Sequence, residues 1–249
     1  MKTVIVTRPL HQAQPWVEGL QQHGFSVRHI PLLSIQAVAD NQPLHHAWAQ
    51  IDQYTWVMFV SANAVHYFFK GTQHGHWPSH LRAGATGNGT TKALTASGVA
   101  AHLIDQPAEN QPEDTEHLWQ QIADRHWSGT QVLLVRGRSA GNRPDRNWLM
   151  HQLQHAGAQV QCLAVYQRCA PVFSADDLLW LGSHDARNSC WIFSSSEAIE
   201  YLPDYDWAQT TAIVTHQRIA QAAHKAGFGH VVCTRPDLLS LVDSVKSVV

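Results

Sequence analysis

The 249-residue sequence predicts an α/β protein made of two similar doubly wound parallel-sheet domains. Three observations carry that prediction. Short, almost wholly apolar runs recur: VIV at 4–6, VMFV at 57–60, VLLV at 132–135, WIF at 191–193 and AIV at 212–214. Strands with no polar face need cover on both sides, which is the condition of a parallel sheet between helix layers. A strand-to-helix corner, VMFVSANAV at 57–65, returns as IFSSSEAI at 192–199, about 134 positions later. Two further blocks repeat in the same order, with Gly24 matching Gly157 at an offset of 133, and Thr86 and Gly98 matching Thr215 and Gly227 at 129. Ordered recurrence at nearly constant spacing indicates duplication of one α/β unit.

The elements follow from local pattern. TVIVT at 3–7 opens a strand; Arg8-Pro9 leave it, and Trp16, Val17 and Leu20 at helical spacing predict a helix that Gly24 ends. FSVRHIPLLSI at 25–35 is extended. The sequence QVLLV at 131–135 starts the same course, through Arg136-Gly137, a loop containing Pro144, and a helix with Trp148, Leu149, Leu153 and Ala156 on its apolar face. Gly157 ends that helix and VQCLAVY at 160–166 is again extended. Residues 71–80 and 105–115 are rich in Gly, Pro, Gln and acids and predict loops. Thr115 is the expected cap of a helix carrying Leu118, Trp119 and Ile122, and Pro236-Asp237 open one carrying Leu238, Leu241, Val242 and Val245.

Ligands of such sheets bind beyond the carboxyl ends of the strands. Thr7, Ser61, Thr86, Arg136, Ser195 and Thr215 all fall at such ends. Free N–H groups of a first helical turn, with the helix dipole behind them, attract carboxylates. Ser61, Ala62 and Asn63 provide one such start, and Ser195 and Ser196 the other. Plain N-capping explains the same residues in any α/β protein.

Composition narrows the function. Lys and Arg number 17 against 19 Asp and Glu, a net charge of -2 that argues against a nucleic-acid or anionic-membrane surface. The 18 histidines are scattered rather than spaced as ligands. The four cysteines show no CxxC pair; Cys190 and Cys233, in or beside apolar runs, are expected to be buried thiols, with neither zinc nor a disulfide framework. No HExxH sequence occurs, and Ser195 has no motif-placed His and Asp partners. The N-terminal MKTVIVTRPL enters a strand without a signal-like segment, and no eighteen apolar residues run together, so a cytoplasmic protein without membrane association is expected.

The ordered set of blocks resembles the uroporphyrinogen-III synthase family over nearly the whole chain. It comprises VTRP at 6–9, GLQQHGFSVRHIPLLSI at 19–35, FVSANAV at 59–65, GATGNGTTKAL at 84–94, LLVRG at 133–137, HAGAQV at 155–160, VYQR at 165–168, IFSSSEAI at 192–199 and AIVTHQRIAQAAHKAGF at 212–228. The resemblance implies two α/β domains joined by a two-stranded connector, crossing near Leu33-Ser34-Ile35 and near Val165-Tyr166-Gln167. One domain would combine 1–34 with 168–249 and the other span 35–167, whereas periodicity alone suggests consecutive halves split near 125.

It also implies a reaction: cyclisation of linear hydroxymethylbilane to uroporphyrinogen III, with loss of water and inversion of ring D, in a mobile interdomain cleft. No cofactor or metal is implied. The chain would be a monomer whose substrate arrives from the preceding bilane-forming enzyme. Tyr166, matching the tyrosine of the family's Tyr-x-Arg block, becomes the expected proton donor or positioner; the alternative is packing at a hinge beside Leu163 and Val165. Arg8 matches the family's Thr-Arg pair and is expected to meet a substrate carboxylate, with Ser61, Ala62, Asn63, Thr86, Arg136, Ser195, Ser196 and Thr215 as further binding residues. Two departures stand out. GRSAGNRPDRNWL replaces a Gly-Gly-Arg-Glu-like run, leaving Gly141, Asn142 and Arg143 as nearest equivalents, and Val214 and His216 flank Thr215 where the family usually has Gly before it. The competing readings are a two-domain small-anion binding protein and a catalytically degenerate family member.

Overall fold

The computed structural model describes residues 2–70, 76–139 and 147–249. In chain order the first elements are β1 (Val4–Val6), α1 (Leu10–Gln22), β2 (Val27–His29), β3 (Ser34–Ala37), α2 (Gln42–Ala49), β4 (Trp56–Phe59) and α3 (Ala62–Lys70). They continue with β5 (Arg82–Ala85), α4 (Asn88–Ala96), β6 (Ile104–Asp105), α5 (Thr115–Ile122), β7 (Gln131–Ser139), α6 (Trp148–His155) and β8 (Gln159–Cys169). Last come α7 (Ala175–Leu181), α8 (His184–Arg187), β9 (Cys190–Phe193), α9 (Ser196–Ile199), β10 (Thr211–Val214), α10 (Gln217–Lys225), β11 (His230–Cys233) and α11 (Leu238–Lys246).

The chain divides into two α/β units, one of residues 1–35 with 169–249 and one of 36–168. The first holds a five-stranded sheet in the order β11-β10-β9-β1-β2, and the six-stranded sheet runs β3-β8-β7-β4-β5-β6. Every pair whose register is described is parallel. Apart from the added edge strand β3, the two sheets share one layout, with β8-β7-β4-β5-β6 standing for β2-β1-β9-β10-β11. The chain enters that layout at different points. The second unit runs from β4 to β8 without interruption, whereas the first makes β1 and β2, leaves, and returns at β9. The extended run 25–35 is accordingly two strands, β2 and β3, with Pro31 between them, a residue that has no N–H to give to a ladder.

The repeat shows in the backbone. Gly24, Gly98, Gly157 and Gly227 follow α1, α4, α6 and α10 with φ of 84°, 92°, 93° and 93°. These are the left-handed helix ends that glycine adopts without a Cβ penalty, and they are the four positions that paired in the sequence.

Strand alternation sorts the apolar residues into two layers. In the first unit Val4, Val6, Ile192 and Ile213 face Trp16, Leu20, Leu241, Val242 and Val245. Ile5, Trp191, Phe193, Ala212 and Val214 face Trp207, Ile219, Ala223 and Phe228 on the other side. In the second unit Trp56, Met58, Val132 and Leu134 pack on Leu118, Ile122, Leu149 and Leu153. Phe59 meets Phe68 of α3 edge-on, ring centroids 5.3 Å apart.

Local expectations need three corrections. Asp114, not Thr115, caps α5, accepting the His117 N–H at 2.8 Å. Trp148 is 39% exposed, so α6 buries only Leu149 and Leu153. Cys190 is buried, and burial pushes its thiol up to about 12, but Cys233 is exposed because β11 is an edge strand.

A polar clasp closes the far edge of the second sheet. The Asp105 carboxylate is 5% exposed and accepts the Trp56 indole N–H at 2.9 Å, two bonds from Arg125 at 2.6 and 2.7 Å, and further bonds from Arg82. Gly84 admits the indole: a Cβ there would lie 2.1 Å from the Trp56 ring. Burial of Asp105 favours its neutral form, yet the hydrogen bonds from Arg125 and Arg82 outweigh this and leave its acidity below the usual carboxylate range. With a folded pKa below the unfolded value of about 3.9, this contribution is complete above that pH and is lost as pH falls through the folded pKa. Asp105→Asn should lower the unfolding free energy by roughly 1.5–3 kcal/mol at neutral pH, the scale of charged hydrogen bonds, because arginines a third exposed rehydrate on losing their partner. Denaturant unfolding at pH 7 and pH 3 should show the variant and the parent converging at the lower pH.

Candidate functional site

Polar side chains in both units collect where the apolar strands end. In the second unit β8 carries the central one. Its register against β7 shifts between Arg136 and Gly137, which pair with Ala164 and Tyr166 and leave Val165 as the extra residue of a bulge. Bulges re-aim side chains. Beyond this one, Tyr166 lies across the backbone of Gly137, where a Cβ would come within 2.2 Å of the ring. Tyr67 from α3 stacks on the Tyr166 ring at 5.8 Å and 27°. The Tyr166 phenol is 1% exposed.

The Tyr166 hydroxyl lies 3.1 Å from Ser61 Oγ and accepts a bond from Arg168 Nη2 at 3.3 Å. The Arg168 guanidinium carbon sits 5.6 Å from the Tyr166 ring centre. Ser61 stands at the end of β4 before α3, and its Oγ also accepts the Ala64 N–H at 3.2 Å. Sequence reasoning therefore chose Tyr166 and Ser61 from separate motifs, and the fold puts them in contact. It missed Arg168, Tyr67 and Gly137 as their neighbours. The strand period of two, which sets Arg168 on the Tyr166 side of β8, was the available signal.

The other candidates of this unit are placed less directly. Ala62 opens α3, and Asn63 within it is buried at 7% exposure. Arg136, expected at a strand end, lies within β7 because that strand continues to Ser139, and its Nη1 donates to Asn147 Oδ1 at 3.2 Å. Thr86 Oγ1 donates to the Val60 carbonyl at 3.4 Å. The next residues start α4, where the chain supplies its own anion: Glu113 Oε1 accepts the Asn88 N–H at 3.1 Å, close against Gly87. A cavity of about 480 Å³ adjoins it, bounded by Gly87, Asn88 and the loop from Gln106 to Glu113. Gly141, Asn142 and Arg143 lie outside the described residues.

In the first unit the adjacent strands β1, β9 and β10 end in Thr7-Arg8, Ser194-Ser195-Ser196 and Thr215. Thr7 Oγ1 is tied to the Ile192 carbonyl at 2.7 Å. Arg8 donates through Nε to Ser194 Oγ at 3.0 Å and lies over the Trp16 ring at 3.9 Å. Burial lowers the Arg8 guanidinium to about 10, so it stays charged at neutral pH. Strand register makes Arg8 and Arg136 equivalent: Val4 pairs with Cys190 as Val132 pairs with Trp56, and each arginine lies four residues further on. Two points differ from expectation. Ser195 stands at the N-cap of α9 but makes no capping bond with its side chain, and α9 is one turn long, against nine residues in α3. His216, unusual in the sequence, caps α10, its Nδ1 accepting the Arg218 N–H at 3.1 Å. Thr215 thus occupies the place Thr86 holds before α4.

Among the described residues no group of three His, Cys, Asp or Glu could hold a metal ion, and no helix is long and apolar enough to cross a membrane. Comparison with known proteins decides the family: the model for "Uroporphyrinogen-III synthase HemD" matches residues 14–243. The chain belongs to the uroporphyrinogen-III synthase family. Curated relatives agree. The porphyrin biosynthesis protein HemD of Ruminiclostridium josui is 23% identical over 98% of this chain and 48% of its own length. The uroporphyrinogen-III synthases of Chlorobaculum parvum and Synechococcus elongatus are 33% and 28% identical over 58% and 80% of this chain, and over 57% and 78% of their own lengths. The chain thus spans about half the length of the first two. Solved structures of the Helicobacter pylori synthetase and a mutant Thermus thermophilus synthase share the fold, with TM-scores of 0.63 and 0.62 at 14% identity. The H. pylori match covers all of both chains, and the T. thermophilus match covers 99% of this chain and 98% of that one.

Gly137 tests whether the ring position is set by the backbone beneath it. Gly137→Ala should cost about 1–3 kcal/mol, as overpacking does, because the ring interior of a buried tyrosine cannot swing aside. Equilibrium unfolding measures the loss, and Tyr166→Leu, which removes the obstructing ring edge, should recover part of it in the double variant.

Proposed function

We propose that this chain is a uroporphyrinogen-III synthase, closing hydroxymethylbilane to uroporphyrinogen III with loss of water and inversion of ring D. The family match over residues 14–243 carries the proposal. The substrate bears eight carboxylates and a flexible linear backbone, so the first requirement is to hold the ends in reacting orientation. The residues proposed to take its carboxylates are Arg8, Ser61, Ala62, Asn63, Thr86, Arg136, Ser195, Ser196 and Thr215, with a carboxylate at α4 exchanging with Glu113. Tyr166 is the proposed catalytic group, supplying or positioning the proton that releases the hydroxyl as water. On this reading the chain works as a cofactor-free monomer in the cytoplasm and receives its unstable substrate from the bilane-forming enzyme.

Support for the carboxylate sites comes from charge and placement: Arg8 and Arg136 hold equivalent register positions, Arg8 just past β1 before α1, and Arg136 within β7 and bonded to Asn147 at the start of α6. The test is to supply freshly made hydroxymethylbilane, oxidise the products and separate isomers I and III by chromatography. Predominant isomer III is the expected outcome; isomer I alone, the product of spontaneous closure, overturns the reading in favour of a binding protein or an inactive family member. In the same assay Arg8→Gln should raise KM about tenfold with kcat little changed, the signature of a lost charged hydrogen bond to bound substrate.

A further inference from the structure

We infer that the hydroxyl of Ser61 delivers the proton to the departing group, with Tyr166 acting through it and Arg168 setting the direction of the hydrogen-bond chain; this rests on the cosynthase reading above. The geometry of the 3.1 Å contact between Tyr166 and Ser61 permits either oxygen to donate. Its neighbours decide. A guanidinium only donates, so Arg168 occupies a lone pair of the Tyr166 oxygen. The phenol, 1% exposed, must then place its own hydrogen on a protein acceptor or leave it unsatisfied in a buried site. Ser61 Oγ is that acceptor, and it also accepts the Ala64 N–H. With both incoming bonds fixed, the Ser61 hydrogen is directed away from Tyr166. Ser61 is half-buried and Tyr166 is sealed between Tyr67 and Gly137. The serine is the end of the chain that a substrate can touch.

The step balances without another reactant. The hydroxymethyl C–O bond breaks as its oxygen takes the Ser61 proton and leaves as water, and the pyrrole nitrogen lone pair supplies electrons to the carbon. Ser61 regains a proton from Tyr166, and the resulting phenolate faces the Arg168 cation. The proton released from the carbon at which the macrocycle finally closes returns to the phenolate. Ser61 is thus the group that touches the leaving oxygen, Tyr166 supplies the proton through it, and Arg168 is a positioning residue.

The test combines kinetics and melting of Ser61→Ala, Tyr166→Phe, the double variant and Ser61→Thr. Isomer III formation should fall about 100-fold in each single variant, the scale of one acid–base group, with KM within about twofold because the backbone N–H groups proposed to meet a carboxylate at the α3 start are kept. The double variant should lose no more than either single, because the two groups act as a unit. Ser61→Thr keeps both the cap and the hydroxyl and should retain most of the rate. Ser61→Ala should also melt lower than Tyr166→Phe, since it strands a buried phenol, and adding Tyr166→Phe to it should raise the melting temperature again. Multiplying rate losses, or a Ser61→Ala variant of parental rate, overturn the relay while isomer III from the parent keeps the cosynthase reading. Isomer I alone from the parent overturns both. A double variant melting below Ser61→Ala overturns the hydrogen-bond direction, whatever the activity.

Discussion

Each unit rests on central strands three or four residues deep that are apolar apart from the buried Thr211 and are covered on both faces. β1, β4, β9 and β10 are buried along their whole lengths. Their backbone groups are satisfied by parallel neighbours, so the strands have nothing left to offer a ligand. Polar chemistry can begin only where they stop, and that is where Thr7, Arg8, Ser61, Thr86, Ser195 and Thr215 stand. In each unit the polar candidates are crowded onto strand ends because the strands exclude them everywhere else.

The exceptions are the two long strands β7 and β8, which run nine and eleven residues. They extend past the apolar layer, and the bulge at Val165 lies on this overhang. An unbulged β8 would keep the pairing of its first half, and the ring of Tyr166 would not meet Gly137. Arg136 and Arg168 lie on the same overhang, so the cations and the phenol of the proposed chemistry depend on strand length as much as on residue type. The seal over Tyr166, from Tyr67 and the bare backbone of Gly137, makes the half-buried Ser61 the accessible member of the group.

Duplication explains why so much of this was legible. Glycines at 24, 98, 157 and 227 recur because a helix that must turn back into a strand ends in a left-handed residue, and only glycine takes that conformation freely. The two units have nevertheless drifted. α3 runs nine residues behind a capping Ser61, while α9 is a single turn behind a Ser195 whose side chain does not cap. The α4 start holds Glu113, whereas α10 is capped by His216. An ordered repeat therefore specifies a shared scaffold and leaves the chemistry of each strand end free to differ.

By itself the sequence determined the α/β class, the repeated strand–helix units, the helix-ending glycines and the pool of polar residues at strand ends. All of these follow from local pattern: apolar runs too short and too uniform for anything but covered strands, and residues whose conformational preference acts within a few positions. Tertiary structure decided the rest. The division into 1–35 with 169–249 and 36–168 comes from strand pairing across more than 130 residues; periodicity is blind to it, and only the family resemblance implied a discontinuous division. The register equivalence of Arg8 and Arg136, the exposure of Cys233 on an edge strand, and the meeting of Ser61, Tyr166 and Arg168 likewise depend on which strands become neighbours. A hydrogen bond between Ser61 and Tyr166 joins positions 105 apart, and only the parallel neighbours β4, β7 and β8 bring them to one place.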